Sequence, residues 1–344
     1  MKFQRTYNFF ITTMLLSFTL SSFTTQAFSL TSSPSSSNNK VQSAQSLLTS
    51  LINESKCFTT ENGATEFAST CAVNIVYEDC YEPQPIVGRF AVEQHLKQRV
   101  FARLGGNNNS NKSIGFRIDK MSDGTKACGF AWTWICDNLE GLRGTTFVEL
   151  NDQNEIVYVR EIPEPLFKPG DATLELLKAV TAGAEPKVFD KPLVVRQPKE
   201  ANDVVKYLYN EVQGRDVMEA MKLFSSDIVY RDFNYEEVLR GKDEVQKFIE
   251  DFSFPGIDFK AQRFDDGVTS SCFTWEVVLM DAPDTIKGIS FYELDPETKL
   301  IKYVRDVPES AIKPPILGKI ARQLRPGVGY VFQIIVIVVS LITT

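Results

Sequence analysis

Two aspartates stand at the ends of short strand-like segments, where a carboxylate can transfer protons. Asp79 follows Tyr77 in the segment NIVYEDC, and Asp232 follows Tyr230 in the segment DIVYRDF. Side chains alternate between the two faces of a strand, so each tyrosine shares a face with its aspartate. The opposite face carries glutamate in one segment and arginine in the other, which is typical of a solvated face. We therefore expect both Tyr-Asp pairs to face the interior, where burial can raise the pKa of a carboxylate until it works as a base.

A second pair of segments, YVREIPE and YVRDVPE, supplies tyrosines and arginines. These are Tyr158 and Arg160 in the first segment and Tyr303 and Arg305 in the second. Lys302 stands on the alternate face, which suggests that this face is wet and that the tyrosines and arginines point inward. The sequence thus predicts two ion pairs, Asp79 with Arg160 and Asp232 with Arg305. Such pairing lowers the pKa of an aspartate, which favours a structural role over that of a general base.

Other reactive side chains are few. Trp134 and Trp275 are candidate pocket-lining residues, although a tryptophan in the middle of a strand is more often part of the core. The single histidine, His95, lies beside basic residues on a predicted helix and is expected on its solvated side. The six cysteines show no C-x-x-C spacing, so the sequence predicts no metal and no cofactor. In a reducing compartment the thiols would be buried and reduced, whereas in a secreted protein Cys71 and Cys80 could form a disulfide.

The repeated segments belong to a longer internal duplication. After each Tyr-Asp segment comes a glycine, Gly88 or Gly241, which opens a helical stretch. The segments GTTF and GISF then match, and the Tyr-Arg segment closes each repeat. Equivalent elements therefore occur in the same order at similar spacing, which is typical of a duplicated domain.

Each repeat reads as helices followed by a run of strands, which predicts an α+β fold and not alternating βαβ units. The predicted organisation is as follows: a signal peptide at 1–27, a transit-like low-complexity segment at 28–42, a first domain at 43–181, a linker at 182–200, a second domain at 201–315, and a C-terminal helix with a hydrophobic tail at 316–344. The linker contains three prolines and mixed charge, so it is expected to lie over the surface.

This order of elements resembles the SnoaL-like branch of the nuclear transport factor 2-like (NTF2-like) superfamily. The helix–helix–strand run from Val204 to Asp232 is similar to the start of a ketosteroid isomerase, and the closing Tyr-Val-Arg segments resemble plastid members from plants and algae. The resemblance implies two cone domains in tandem, each with helices packed in a strongly bent antiparallel sheet. It also implies that Asp79 and Asp232 match the general base of the isomerases. The tyrosine that stabilises their oxyanion falls on Leu208, with Tyr207 and Tyr209 one step off.

The two ends of the chain resemble a targeting segment and a membrane-associated tail. Residues 1–53 include Lys2, Arg5 and Lys40 but no acid, and an apolar run precedes a Ser-rich stretch. This pattern is typical of the two-part address of a complex algal plastid, with ordinary secretion as the alternative. At the other end, the uncharged run from Val328 to Leu341 follows basic residues and predicts membrane association; a strand or a helix packed on a partner subunit is the alternative.

The sequence favours a non-catalytic plastid accessory protein that binds an apolar small molecule or a protein partner. The alternative is an enzyme of the isomerase or cyclase type that uses Asp79 or Asp232. The formal net charge of −7 argues against nucleic acid as a partner. The two domains are further expected to pair with each other as an intramolecular pseudo-dimer.

Overall fold

The computed structural model describes residues 42–82, 84–104, 113–279 and 285–310. Its fold is α+β and contains two similar cone units in tandem, which confirms the predicted fold class. The first unit consists of α1 (Ala44–Asn53), α2 (Glu61–Ser69), β1 (Cys71–Asp79), β2 (Ile86–Val87), α3 (Arg89–Arg103), β3 (Ile114–Met121), β4 (Ala127–Cys136), β5 (Leu139–Leu150) and β6 (Ile156–Pro163). Then comes α4 (Asp171–Val180). The second unit consists of α5 (Ala201–Lys206), a π-helical segment (Tyr207–Val212), α6 (Val217–Met221), β7 (Phe224–Asp232), β8 (Leu239–Arg240), α7 (Lys242–Asp251), β9 (Ile257–Phe264), β10 (Ser270–Leu279), β11 (Ile286–Leu294) and β12 (Ile301–Pro308).

The two sheets have the same strand order, β2-β1-β6-β5-β4-β3 and β8-β7-β12-β11-β10-β9. In each sheet the first long strand pairs in parallel with the last one, and the other pairings are antiparallel. The helices cover the inner face and enclose one apolar core per unit. Gly88 and Gly241 precede α3 and α7 with φ of 95° and 82°, a region where a Cβ atom would be strained.

A β-bulge reverses the expected orientation of the last strand of each unit. Pairing of β12 with β7 skips Lys302, since Ile301 lies opposite Phe224 and Tyr303 opposite Val229. The position of Lys302 therefore does not indicate which face of the strand is exposed to solvent. The same irregularity occurs in β6, next to Val157.

The predicted inward orientation of four side chains is consequently wrong. Tyr158, Arg160, Tyr303 and Arg305 lie on the outer faces of their sheets. The residues that turn inward are Val159 and Glu161 in β6 and Val304 and Asp306 in β12. The predicted ion pairs of Asp79 with Arg160 and of Asp232 with Arg305 are not formed, because the partners lie on opposite faces.

The outer faces of the two sheets pack against each other, as a pseudo-dimer within one chain requires. Apolar side chains from both units form this contact: Phe147, Tyr158 and Ile162 from the first, and Phe233, Phe291 and Val307 from the second. Arg160 donates to the carbonyl oxygen of Gly288 at 3.4 Å, and Arg305 donates to the carbonyl oxygen of Gly144 at 3.3 Å. Because Gly144 and Gly288 are equivalent positions, the two contacts are reciprocal, as at a two-fold interface.

Helix α4 lies against the second unit, although the predicted boundary at 181 assigns it to the first domain. The N–H of Gly170 donates to the carbonyl of Asn234 at 2.9 Å, and Thr173 Oγ1 donates to Asn234 Oδ1 at 3.0 Å. Leu174 and Leu177 are buried. The following segment also contacts the second unit, since Arg196 forms ion pairs with α5 and the π-helical segment.

The predicted signal peptide, transit segment and hydrophobic tail fall outside the described residues. Within the described ranges no helix is long and apolar enough to span a membrane. No disulfide joins Cys71 to Cys80. Cys71 lies in the core of the first unit and Cys80 between the two sheets, so the considered bridge is wrong for geometric reasons.

Candidate functional site

The second unit encloses a cavity of about 260 Å³. Its walls are mostly apolar, and the described lining residues include eight aromatic side chains: Tyr209, Phe224, Tyr230, Phe248, Phe252, Phe259, Trp275 and Tyr292. Thr173 and Leu177 of α4 also line it, so this helix covers part of the opening. A concave apolar site with a few convergent polar groups is the usual form of a small-molecule site.

Two carboxylates stand side by side in the wall of this cavity. Asp232 ends β7, and Asp306 lies directly opposite it on the parallel strand β12. Asp232 accepts the backbone N–H of Asn234 at 2.7 Å. Three donors reach Asp306: Ser290 Oγ at 2.8 Å, Trp275 Nε1 at 3.1 Å and Tyr230 Oη at 3.3 Å.

The two carboxylates differ in proton affinity because their hydrogen bonds differ. Burial raises the pKa of Asp232 to about 8, and the neighbouring charge of Asp306 acts in the same direction. Burial also raises the pKa of Asp306, to about 6, but the hydrogen bonds from Ser290, Tyr230 and Trp275 oppose the rise. Near neutral pH the pair is therefore expected to share one proton, and the three hydrogen-bond donors at Asp306 favour Asp232 as its holder. A shared proton of this kind equips the pair for both acid and base steps.

Tyr209 brings a hydroxyl group into the same cavity. Its Oη atom is hydrogen-bonded to Tyr292 Oη, and its ring stacks on Phe259 at a centroid distance of 5.0 Å. Burial raises the pKa of Tyr209 and Tyr292 above the ordinary value, so both hydroxyls remain protonated and can donate. The residue lies in the π-helical segment, whose wider turn places Leu208 and Tyr209 together on the cavity side.

The equivalent space in the first unit is occupied by Arg99 of α3. Arg99 is paired with both carboxylate oxygens of Glu161, and its Nη1 atom donates to Tyr77 Oη at 3.2 Å and lies 3.8 Å from Asp79 Oδ2. Tyr77 Oη also donates to Glu161 Oε2 at 2.6 Å. The guanidinium of Arg103 lies 3.3 Å from the ring centroid of Trp134. The charges in this interior are therefore neutralised by its own arginines.

His95 is buried and lies close to Asp79, so its predicted place on a solvated surface is wrong. Its side chain is 10% exposed, and Nε2 lies 3.1 Å from Asp79 Oδ2. Together with Glu82 these residues bring three donor atoms within 4.8 Å of one another, the minimum arrangement for a metal ion. Arg99 lies beside the same aspartate and would compete with a metal for it.

The structure thus places the predicted site residues in three locations. Asp232, Tyr230 and Trp275 line the cavity of the second unit. Asp79, Tyr77 and Trp134 are buried in the first unit, among arginines. Tyr158, Arg160, Tyr303 and Arg305 lie between the sheets. Sequence reasoning did not identify Asp306 and Tyr209 as site residues. The acid that follows Tyr-Val-Arg in both repeats was a signal for Asp306.

No protein-family model and no curated protein matches the chain. Among solved structures, a suggested ketosteroid isomerase from Kribbella flavida is similar to it, with 21% identity, 33% of this chain and 79% of that chain covered, and a TM-score of 0.29. An NTF2-like protein of unknown function from Cytophaga hutchinsonii has 10% identity, 33% and 95% coverage, and a TM-score of 0.28. The epoxide hydrolase/cyclase-like enzyme SalBIII of salinomycin pyran ring formation has 15% identity, 30% and 87% coverage, and a TM-score of 0.27. Both units have the same strand order and the same placement of helices, as the predicted pair of tandem cone domains requires.

Proposed function

We propose that the second unit binds an apolar small molecule and exchanges protons with it through Asp232 and Asp306. The reaction is of the isomerase or cyclase type, in which one carboxyl takes a proton from the ligand and a proton returns elsewhere. The single observation that supports it is the adjacent carboxyl pair in the wall of an aromatic cavity. The first unit serves as a structural partner.

A catalytic role is favoured over the accessory role that the sequence suggested, because the expected arginines do not reach the carboxylates. Arg305 donates to Thr145 and Gly144 of the first unit. Asp306, as the ionised member of the pair, can accept a proton from carbon or oxygen. Asp232, as the protonated member, can give one back.

Hydroxyl groups complete the proposed reaction site. Tyr209 and Tyr292 are donors on the cavity wall, where they can hydrogen-bond to an oxygen that gains negative charge. One such donor typically contributes about 3 kcal/mol to transition-state stabilisation in a site that excludes water. The predicted address at 1–42 would place the reaction in a plastid, and this localisation remains a proposal.

The proposal is tested by proton exchange with an enolisable ketone of suitable size. 2-Tetralone is incubated with the protein in D₂O, and deuterium uptake next to the carbonyl is followed by NMR. We expect wild-type protein to accelerate the exchange and Asp306→Asn to lose the acceleration. Glu161→Gln, which alters the equivalent acid of the first unit, should retain it. Equal rates for wild type and Asp306→Asn would contradict the proposal.

A further inference from the structure

We propose that the preferred ligand of the second unit carries a cationic nitrogen, as in an amidine, guanidine or protonated amine, on an apolar ring-sized body. This inference rests on the proposed ligand site and specifies its substrate class. It follows from comparing the two copies of the same arrangement within one chain.

Three positions around the acid pair are equivalent in the two units. Tyr77 and Asp79 of β1 match Tyr230 and Asp232 of β7, and the strand pairing sets Glu161 beside Asp79 as it sets Asp306 beside Asp232. In both units the tyrosine hydroxyl donates to the acid of the last strand. The acids and their tyrosine donor are thus retained in both copies.

The two units differ in the group that contacts these acids. In the first unit the planar guanidinium of Arg99 contacts Tyr77, Glu161 and Asp79 together. Counted from the glycine that precedes each helix, the matching residue of the second unit is Phe252, which lines the cavity. The second unit therefore keeps the acceptors for a planar cation and replaces the internal cation with cavity space.

The charge of the cavity points to the same class of ligand. Among the described residues that line it, Asp216, Asp232 and Asp306 are acidic and none is lysine, arginine or histidine. Aromatic faces surround the acid pair, and such faces attract cations through their quadrupole, most strongly where water is excluded. A carboxylate or phosphate ligand would meet like charge with no cation to receive it.

The remaining space sets the size of the ligand. A volume of about 260 Å³ accommodates one or two rings and leaves no room for a nucleotide-sized group. Phe248 replaces His95 at the matching helix position, so the space beside the acids is bounded by rings. The ligand is therefore expected to place its nitrogen against the acids and its body against the aromatic wall.

Three probes of equal shape test this inference by calorimetry on the whole protein at pH 7.5: benzamidine as cation, benzamide as neutral isostere and benzoate as anion. We expect benzamidine to bind at least tenfold more tightly than benzamide and benzoate to show no binding. Asp306→Asn should abolish the preference for the cation, and Glu161→Gln in the first unit should retain it. Phe252→Arg, which imports the internal cation of the first unit, should reduce benzamidine binding at least tenfold while thermal unfolding shows a folded protein.

The outcomes separate the inference from the function on which it rests. If benzamide binds as tightly as benzamidine, the cationic class is wrong and the apolar site stands. Absence of benzamidine binding at millimolar concentration also overturns the inference, whereas the 2-tetralone exchange assay judges the proton-transfer proposal separately. An unchanged benzamidine affinity in both Asp306→Asn and Phe252→Arg would show that the cation binds elsewhere.

Discussion

Glu161 and Asp306 occupy the same position in the two units, yet Glu161 is paired with Arg99 whereas Asp306 is hydrogen-bonded by neutral donors. The duplication thus retained an acid and changed its partner. In the first unit the interior is an ion-pair network, and in the second it is a cavity with a proton-bearing acid pair. The two copies therefore differ in their interiors, although their strands and acids are arranged alike.

The raised pKa of Asp232 predicts that stability falls as the pH rises from about 4 to about 8. The folded state holds this proton up to about pH 8, whereas an ordinary aspartate releases it near pH 4. The contribution of Asp232 to stability is therefore fully present below about pH 4 and is lost as the pH rises through about 8. For one retained proton, the free energy of unfolding falls by at most about 1.4 kcal/mol per pH unit in this range.

Asp232→Asn should remove this dependence, because asparagine does not ionise. Urea unfolding between pH 5 and pH 9 checks the prediction, and we expect the variant to be the more stable protein at pH 9. Asp243→Asn on the exposed surface of α7 is the matched control and should follow the wild-type curve. Curves of equal slope for wild type and Asp232→Asn would refute the assignment.

The repeats made the fold predictable from the sequence. The orientation of the side chains in the last strand of each unit could not be predicted in the same way. Alternation along β1 and β7 correctly places the Tyr-Asp pairs inside, since these stretches are regular. In β12 one bulged residue, Lys302, shifts the alternation, and a bulge depends on pairing with distant strands. The inference from Lys302 therefore placed Arg305 inside, where the structure has Asp306, and so predicted an ion pair that does not form.

The position of Tyr209 was hidden for a related reason. A helix of 3.6 residues per turn directs Leu208 and Tyr209 to different faces, whereas the π-helical turn brings both to the cavity. The burial of Arg99 in the first unit was not predicted either, although Arg99 and Arg103 stand one helical turn apart in α3. Two arginines at that spacing, with phenylalanine and glycine at the matching positions of the second repeat, already distinguish the copies.

Glu78 connects the two units through a partly buried ion pair with Lys287 and also pairs with Arg160 of its own unit. It accepts Arg160 Nε and Lys287 Nζ, both at 2.7 Å. Although burial alone would raise its pKa, Arg160 and Lys287 hold the pKa of Glu78 at about 2. The contribution of Glu78 to stability is present above the ordinary glutamate pKa of about 4.5 and is lost as the pH falls toward 2.

Glu78→Gln is therefore expected to cost about 3 kcal/mol at pH 7, because the buried Arg160 loses its nearest carboxylate and keeps the more distant Glu276 at 3.5 Å. The deficit relative to wild type should shrink as the pH falls from 5 to 2, which urea unfolding can measure. Glu140→Gln removes an exposed ion pair with Arg117 and should cost less than about 1 kcal/mol. A constant deficit across the pH range would argue against the ion pair as its cause.

Gly288 permits the close approach of Trp275 that positions the indole beside Asp306. A Cβ atom at this residue would lie 1.9 Å from the Trp275 ring, so Gly288→Ala must displace the indole. We expect a loss of about 1–3 kcal/mol in stability and a slower deuterium exchange of 2-tetralone. Gly144→Ala, which crowds Trp132 at 2.3 Å in the first unit, should lower stability with unchanged exchange activity. Reduced exchange in both variants would attribute the effect to general destabilisation.

Helix α4 should unfold together with the second unit, although it follows the first in the chain. Leu177 is 8% exposed and lines the cavity, whereas its neighbour Leu176 is 63% exposed. Leu177→Ala is expected to cost about 2 kcal/mol, at the low end for a buried leucine, since the adjoining cavity already leaves space beside it. Hydrogen exchange with mass spectrometry should show faster exchange of α4 in Leu177→Ala and no change in Leu176→Ala. Equal exchange in the two variants would show that the Leu177 contact does not hold α4 in place. It would also contradict the interpretation that α4 covers part of the cavity.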